Sequence, residues 1–498
     1  MRNSDAVASK STYASFRNKA GIILLILLVG EFFNVRTKLA DYGKVPETFY
    51  NNTVKASLQD VRAPGNLPSK PISPWNVTSY FLSDEFVSQF RLPERRPPND
   101  HQTTRPTFTV QDPSGINHRF SQFRYYMYTN ETISQKEAMR SSLESGEWPN
   151  KKSVDHLVTD RQAEQDLIET LELHPWRTLD PNEADLFFVT TPLTWLTGRS
   201  QAGRAIYSAL EALSQNPHFQ QGHRHIVFSL HWAMFGPHYI SKYRRFREAH
   251  KLIKSVTLVK GYNSELLPRI LTPLLERKKL NGEEMYLRGF EKKLSKPSYT
   301  CCGFSLGLWS MDLPLQRDSY EKWVQRKTLF FYHTREKPSA SNSTIYRQLP
   351  LQTFRGTNLP ENWSIGYDIP PDDYRRTLLD SKYCLVIRGD TPSSHALIRA
   401  LRVGCLPVVI SDFLPIFSPS LSATLDVRNF CIFVDEEEYI TNVAAVFQRI
   451  AALETEHPDY LRLKYEHLHW AQRVLFPDVD DSLIVPAMLR EASTVVKW

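Results

Sequence analysis

The segment SKYCLVIRGDTPSSHALIRALRVGCLPVVISD, residues 381–412, gathers residue types suited to holding a phosphorylated ligand. A continuous apolar run, Tyr383–Ile387, predicts a buried strand that feeds directly into Arg388, Gly389 and Asp390. Thr391 as N-cap with Pro392 at the first position predicts the start of a helix. Ala396, Leu397, Ala400, Leu401 and Val403 give that helix an apolar face, and Gly404 is a natural left-handed stop before a second strand, Leu406–Ile410. In such a unit the amides near Ser393, Ser394 and His395 open a helix at the carboxyl edge of a sheet. Free N–H groups and the helix partial charge suit a diphosphate there. An ordinary capped helix has the same spacing, and GDTPSS is neither a P-loop nor a dinucleotide fingerprint.

Other constellations are weaker. Asp478 and Asp480 have the D-x-D form of metal-dependent sugar transfer, but so few residues follow that a solvated turn is expected. His223 with His225, and His467 with His469, would each present two imidazoles on a strand face, without a third ligand to complete a zinc set. No metal site is expected. The five cysteines, Cys301, Cys302, Cys384, Cys405 and Cys431, are too few for a disulfide scaffold. Cys384 and Cys405 lie near the amino ends of two candidate parallel strands; if those are neighbours, a disulfide and two buried free thiols are both open.

The elements that must position these residues follow an α/β pattern from about residue 121. Expected strands are Arg124–Tyr128, Leu186–Thr190, Ile226–Leu230, Thr328–Tyr332, Tyr383–Ile387, Leu406–Ile410 and Cys431–Val434. Ile206, Tyr207, Leu210 and Leu213 mark a helix among them. The segment 240–325 is poorer in strands and carries the charge run Glu276–Lys279, read as a solvated helix face.

Of the 498 residues, 41% are hydrophobic and 23% charged, which excludes disordered and multi-span membrane proteins. The net charge of +7 is concentrated early: residues 1–105 hold 14 basic and 9 acidic side chains, leaving the rest near neutral. That distribution gives no support for nucleic acid as a partner. The apolar run Ala20–Gly30 reads as an uncleaved signal-anchor rather than a cleaved signal, because Leu28 stands where cleavage needs a small residue. Basic residues before it favour a cytosolic N-terminus. Sequons at Asn51, Asn76, Asn130, Asn342 and Asn362 all follow the run, as a luminal body requires. Eight prolines between residues 37 and 105 break any long helix, so this stretch is a stem, with one short helical turn expected at Ser83–Phe90. The expected divisions are 1–19 cytosolic tail, 20–35 transmembrane anchor, 36–105 stem, 106–320 N-terminal domain and 321–498 C-terminal domain.

The 381–408 segment resembles the diagnostic motif of the exostosin family of glycosyltransferases. Further similar pieces occur in family order: FRYYMYTN (123–130), DPNEADLFFV (180–189), RHIVFSLHW (224–232), MDLP (311–314) and RKTLFFYHTR (326–335). The resemblance implies an α/β GT-B fold, two Rossmann-like domains facing a cleft, in a single-pass type II Golgi membrane protein. It implies inverting, metal-independent transfer from a nucleotide sugar, a co-substrate rather than a cofactor, to a glycan or glycoprotein acceptor. The C-terminal domain would bind the donor through Arg335, Arg347, Arg388, Gly389, Thr391, Ser393, Ser394, His395 and Arg399, although each arginine equally suits a structural ion pair. Inverting transfer also needs a base. His231, directly after the strand Ile226–Leu230, leads, with Asp312 second, and a packed histidine is the plainer reading of His231. Two departures bear on the site. Arg399 replaces an acidic residue expected to accept ribose hydrogen bonds, and the glycine usual after the strand Thr328–Tyr332 is missing, with His333 and Thr334 in its place. The first keeps open a non-catalytic, glycan-binding or assembly subunit of the same fold; the oligomeric state, homo- or hetero-, is not legible.

Overall fold

A computed structural model describes residues 105–144, 155–197, 202–230, 248, 251–252, 257–260, 303–305, 313–334, 345–388, 394–417, 420–496 and 498. All of them belong to one compact unit, Ile72–Trp498. The expected tail, anchor and nearly all of the stem lie outside the described residues, as do Ser83–Phe90 and Glu276–Lys279. Among the described residues no helix is long and apolar enough to cross a membrane.

The chain enters through an antiparallel hairpin, β1 (Thr107–Gln111) and β2 (Asn117–Ser121). Its turn is closed by Asp112, whose Oδ1 accepts from the amides of Ser114 and Ile116, both at 2.9 Å. A parallel sheet follows, built from β3 (Tyr125–Met127), β4 (Arg177–Thr178), β5 (Leu186–Val189), β6 (His225–Ser229), β7 (Thr257–Lys260) and β8 (Gly303–Ser305), in the order β4-β3-β5-β6-β7-β8. All four residues of β5 are buried, as a strand covered on both faces requires. Helices α1 (Asp155–Leu173) and α2 (Ala202–Ser214) lie on the crossovers, and Leu167, Leu171, Ile206, Leu210 and Leu213 join the core. Asp185 pins the amino edge, accepting from the Arg124 amide at 2.9 Å and the Arg105 guanidinium at 2.6 Å.

The second parallel sheet contains β9 (Thr328–His333), β10 (Trp363–Gly366), β11 (Ser381–Ile387), β12 (Leu406–Ile410) and β13 (Ile432–Phe433), ordered β10-β9-β11-β12-β13. Its helices are α3 (Ile345–Thr353), α4 (Pro371–Leu379), α5 (His395–Arg402), α6 (Glu436–Thr441), α7 (Val443–Glu456), α8 (Pro458–Leu475) and α9 (Ile484–Val495). Alternation along β9 and β11 builds two cores. Phe330 and Tyr383 meet Trp323, Trp363 and Phe447 on one face. Phe331 and Cys384 meet Leu378, Ala400, Val403 and Cys405 on the other. Cys384 and Cys405 form a disulfide there, with Cα atoms 5.8 Å apart, while Cys431 is a buried free thiol.

All seven expected strands are strands, with ends that coincide or differ by at most two residues. Sheet membership changes between Ser305 and Thr328. The C-terminal end differs from the simple two-part division, because α9 packs on β2 and β8 of the first half. The start of α5 differs too. Its N-cap is Ser394, extended in backbone and accepting from the Ala396 amide, so Thr391 is not the cap. Two competent caps stand in series here, and the later one supplies the bond.

Gly404 ends α5 with φ +63°, in the left-handed region. A Cβ there would lie 3.1 Å from the Gln316 carbonyl and from Arg326 Nη2, and 3.2 Å from the Tyr465 hydroxyl. Arg326 has no slack, since it donates to the Ser381 and Val403 carbonyls, both at 2.8 Å. Gly404→Ala is therefore expected to cost at least the roughly 1–2 kcal/mol of a left-handed non-glycine residue, read as a lower urea midpoint at unchanged slope. An unchanged midpoint would mean that the turn relaxes freely.

Candidate functional site

Each sheet places its earliest strand one in from the edge. The crossovers therefore part at one point per sheet: between β3 and β5 in the first and between β9 and β11 in the second. In doubly wound sheets the ligand crevice opens at the carboxyl ends of the two strands flanking that point.

In the second sheet, Arg388 directly follows β11. Its amide continues the pairing to the Ile410 carbonyl at 3.1 Å, which fixes the backbone. Its side chain turns inward and is buried: Nε lies 2.8 Å from Glu436 Oε1, and Cζ sits 4.2 Å from the Tyr346 ring centroid. Glu436 opens α6, and it exchanges two bonds with Asp412 beyond β12. The Asp412 amide donates to Glu436 Oε1 at 3.2 Å, and the Glu436 amide donates to Asp412 Oδ1 at 3.0 Å. Tyr439 on α6 donates to the Tyr346 carbonyl at 3.2 Å. Burial disfavours the Arg388 charge, and the Glu436 carboxylate more than offsets this, holding the guanidinium protonated. Of the two roles open to Arg388, the geometry gives it the ion pair. The network ties together the ends of β11, β12 and β13.

The other expected donor residues that are described lie on the crossovers next to β9 and β11. His395 and Arg399 are four apart on α5, hence on one face, and both are half-buried. Ser394 spends its hydroxyl on the cap. Arg347 on α3 is half-buried, and its carbonyl accepts from the Tyr332 hydroxyl at 2.8 Å. Burial pushes the Tyr332 phenol up, and the Arg347 charge opposes it. The structure thus brings Arg347, Arg388, Ser394, His395 and Arg399 onto β9, β11 and their crossovers. Arg335, Gly389, Thr391, Ser393, His231 and Asp312 lie outside the described residues.

His333, which with Thr334 stands where a glycine was expected, does not project forward. Its Nδ1 donates to the Tyr367 carbonyl at 2.8 Å, and its Nε2 accepts from the Ser364 hydroxyl at 2.8 Å, laying the ring along β10. Burial lowers its pKa, in keeping with one neutral tautomer that satisfies both bonds.

The carboxyl edge of the first sheet carries Tyr128, Thr190 and Thr191. The Thr190 and Thr191 hydroxyls donate to the Tyr128 and Ile133 carbonyls, at 2.9 and 2.6 Å. At the opposite end of β6, His225 donates from Nδ1 to the His223 carbonyl at 2.6 Å and accepts from the Tyr128 hydroxyl at 2.7 Å. Its ring stacks on Phe187 at 4.7 Å, and burial pushes its pKa down to about 4. Both nitrogens are engaged. His467 and His469 were expected on a strand but lie on α8, where residues two apart point in different directions. His467 instead bonds Ser114 at 2.7 Å. Asp478 grips the buried Arg402 with both oxygens, at 3.1 and 2.6 Å, which explains half of the D-x-D motif structurally. Among the described residues no group of three or more His, Cys, Asp or Glu could hold a metal ion.

Asn130 and Asn362 are exposed; Asn51, Asn76 and Asn342 lie outside the described residues. The sequence did not single out Glu436, Asp412 or Tyr346. Asp412 had a signal, since it lies two residues past the carboxyl end of a strand. Glu436 had none, being the first of three consecutive glutamates.

The family model described as the Exostosin GT47 domain matches residues 120–449. No curated protein matches the chain. Similar solved structures include Arabidopsis thaliana UGT89C1 complexed with quercetin, at 12% identity over 74% of this chain and 91% of that one, with TM-score 0.29. An alpha-glucosyltransferase in complex with UDP-glucose and DNA containing an abasic site aligns at 10% identity over 70% and 94%, with TM-score 0.29. CalG4, the calicheamicin glycosyltransferase, aligns at 11% over 74% and 99%, with TM-score 0.27. Superpositions this loose carry no argument about the site. The family match spans about two thirds of the chain, including both sheet crossover points, and the chain belongs to the exostosin GT47 family of glycosyltransferases.

Proposed function

We propose that this glycosyltransferase takes a sugar from a nucleotide-sugar donor and transfers it, with inversion and without a metal, to a glycan or glycoprotein acceptor. The two sheets would act as the halves of a GT-B enzyme, anchored by residues 20–35 as a type II protein of the Golgi. The observation that carries the reading is the crossover point of the second sheet, where the two diverging crossovers carry Arg347 on α3 and His395 and Arg399 on α5. These groups would offset the charge of a leaving diphosphate. Arg388 holds the floor of that site through Glu436 rather than touching the donor. His231 and Asp312 stay the candidates for the base that takes the acceptor hydroxyl proton.

One feature favours a second reading, a non-catalytic glycan-binding or assembly subunit: Arg399 stands where a carboxylate would accept ribose hydrogen bonds. The test is to titrate the detergent-solubilised full chain with UDP-, GDP- and CMP-sugars and to follow both binding and nucleotide release. Binding with turnover is expected; no binding to any donor would sink the enzyme reading. Arg399→Asp is expected to raise the dissociation constant at least about tenfold, the loss of one charge-assisted contact. An unchanged constant would contradict a donor contact by Arg399.

A further inference from the structure

Tyr367 departs from the pattern of the other tyrosines around the second sheet. Tyr332, Tyr346, Tyr383 and Tyr439 are buried, whereas Tyr367, the first residue beyond β10, leaves 41% of its surface exposed. It is nevertheless held at both ends. Its hydroxyl donates to Oε1 of the buried Gln348 at 3.2 Å, and its carbonyl accepts from His333 Nδ1 at 2.8 Å. His333 is fixed in turn by Ser364, and it lies so close over Gly366 that a Cβ there would meet its Cε1 at 3.2 Å. An exposed ring restrained in this way has already given up much of the freedom that binding would otherwise remove.

Its position fits one part of a donor. β10 pairs with β9, and β9 with β11, so Tyr367 stands about two strand spacings, roughly 10 Å, from the end of β11. An extended nucleoside diphosphate covers a comparable span, with its phosphates toward α5 and its base toward β10. A purine or pyrimidine presents a π-face that an aromatic ring can stack against whatever its edge groups. We infer that Tyr367 is the stacking platform for the donor nucleobase, with His333 and Gln348 as positioning residues, an inference that rests on the donor-site reading above. His333 and Thr334 stand where the family resemblance implies a glycine, so the restraint that His333 supplies belongs to this chain's own sequence.

The experiment compares dissociation constants of UDP, GDP and CMP with those of inorganic pyrophosphate, using full-length wild type, Tyr367→Leu and Tyr367→Phe. Tyr367→Leu is expected to weaken the best-bound nucleotide about ten- to a hundredfold and to leave pyrophosphate unchanged. Tyr367→Phe keeps the ring and its carbonyl bond to His333 and should stay within about threefold, since the part-buried bond it loses goes to Gln348 and not to the nucleotide. Equal weakening of nucleotide and pyrophosphate by Tyr367→Leu would show a general distortion of the site and overturn the inference. So would an unchanged nucleotide constant, including the case in which only the acceptor KM rises. If wild type binds none of the nucleotides, the donor-site reading fails and this inference with it.

Discussion

Glu436→Ala is expected to destabilise the protein by about 3–5 kcal/mol, because it strands the Arg388 charge in the interior. Both side chains are almost wholly buried, 4% and 1% exposed as residues, and the guanidinium packs on Tyr346 instead of reaching water. Removing Glu436 also takes away the acceptor of the Asp412 amide. Arg388→Met keeps the volume but leaves the buried Glu436 carboxylate without its cation, so it should destabilise too, and Arg388→Met with Glu436→Ala should lose less than the two single changes summed. Urea unfolding of the four proteins forms the cycle. A Glu436→Ala variant within about 1 kcal/mol of wild type would place the pair in the class of solvated surface bridges and remove the anchor assigned to it.

The second large effect concerns the disulfide. Cys384 and Cys405 are 21 residues apart in sequence and enclose the whole crossover that contains α5. Closing a loop of that length restricts the unfolded chain, and the model of that effect gives about 3 kcal/mol. Cys384→Ala with Cys405→Ala is expected to lose that amount, and wild type should lose a similar amount in reductant while the double variant becomes insensitive to it. The loss has a local side. With the covalent tie gone, α5 keeps its apolar face, the Arg402–Asp478 pair and the Gln472 bond to the Leu401 carbonyl but loses its covalent link to β11, so amide exchange over 395–402 should accelerate more than over α8. Equal stability with and without reductant would mean that the bond contributes nothing to the fold.

How well the sequence announced these elements follows from their burial. β5, β11 and β12 are buried on both faces and read as unbroken apolar runs, which is why their positions were plain. β4 and β8 are only two and three residues long, too short to carry a period. β10 is an edge strand whose four residues are all half-buried, and it begins inside a sequon, directly after Asn362. His467 and His469 were misassigned because two histidines with one residue between them suggest a strand, whereas the surrounding Leu461, Tyr465, Leu468 and Leu475 set a helical period.

The site was legible in place but not in role. The unit from Tyr383 to Ile410 could be located from its strand, stop and second strand. That Arg388 serves the interior depends on Glu436, which only the pairing of β12 with β13 brings beside it. Tyr367 was invisible for a related reason: its significance comes from the neighbours β9 and α3 supply, His333 and Gln348.

The central claim is that the donor binds at the crossover point of the second sheet. Photolabelling the full-length protein with 5-azido-UDP and 8-azido-GDP, followed by peptide mapping, tests it most directly. The account predicts label, competed by the matching unmodified nucleotide, on peptides from residues 345–370 or 388–402. Competed label confined to the first sheet, or no competed label with either probe, would contradict it.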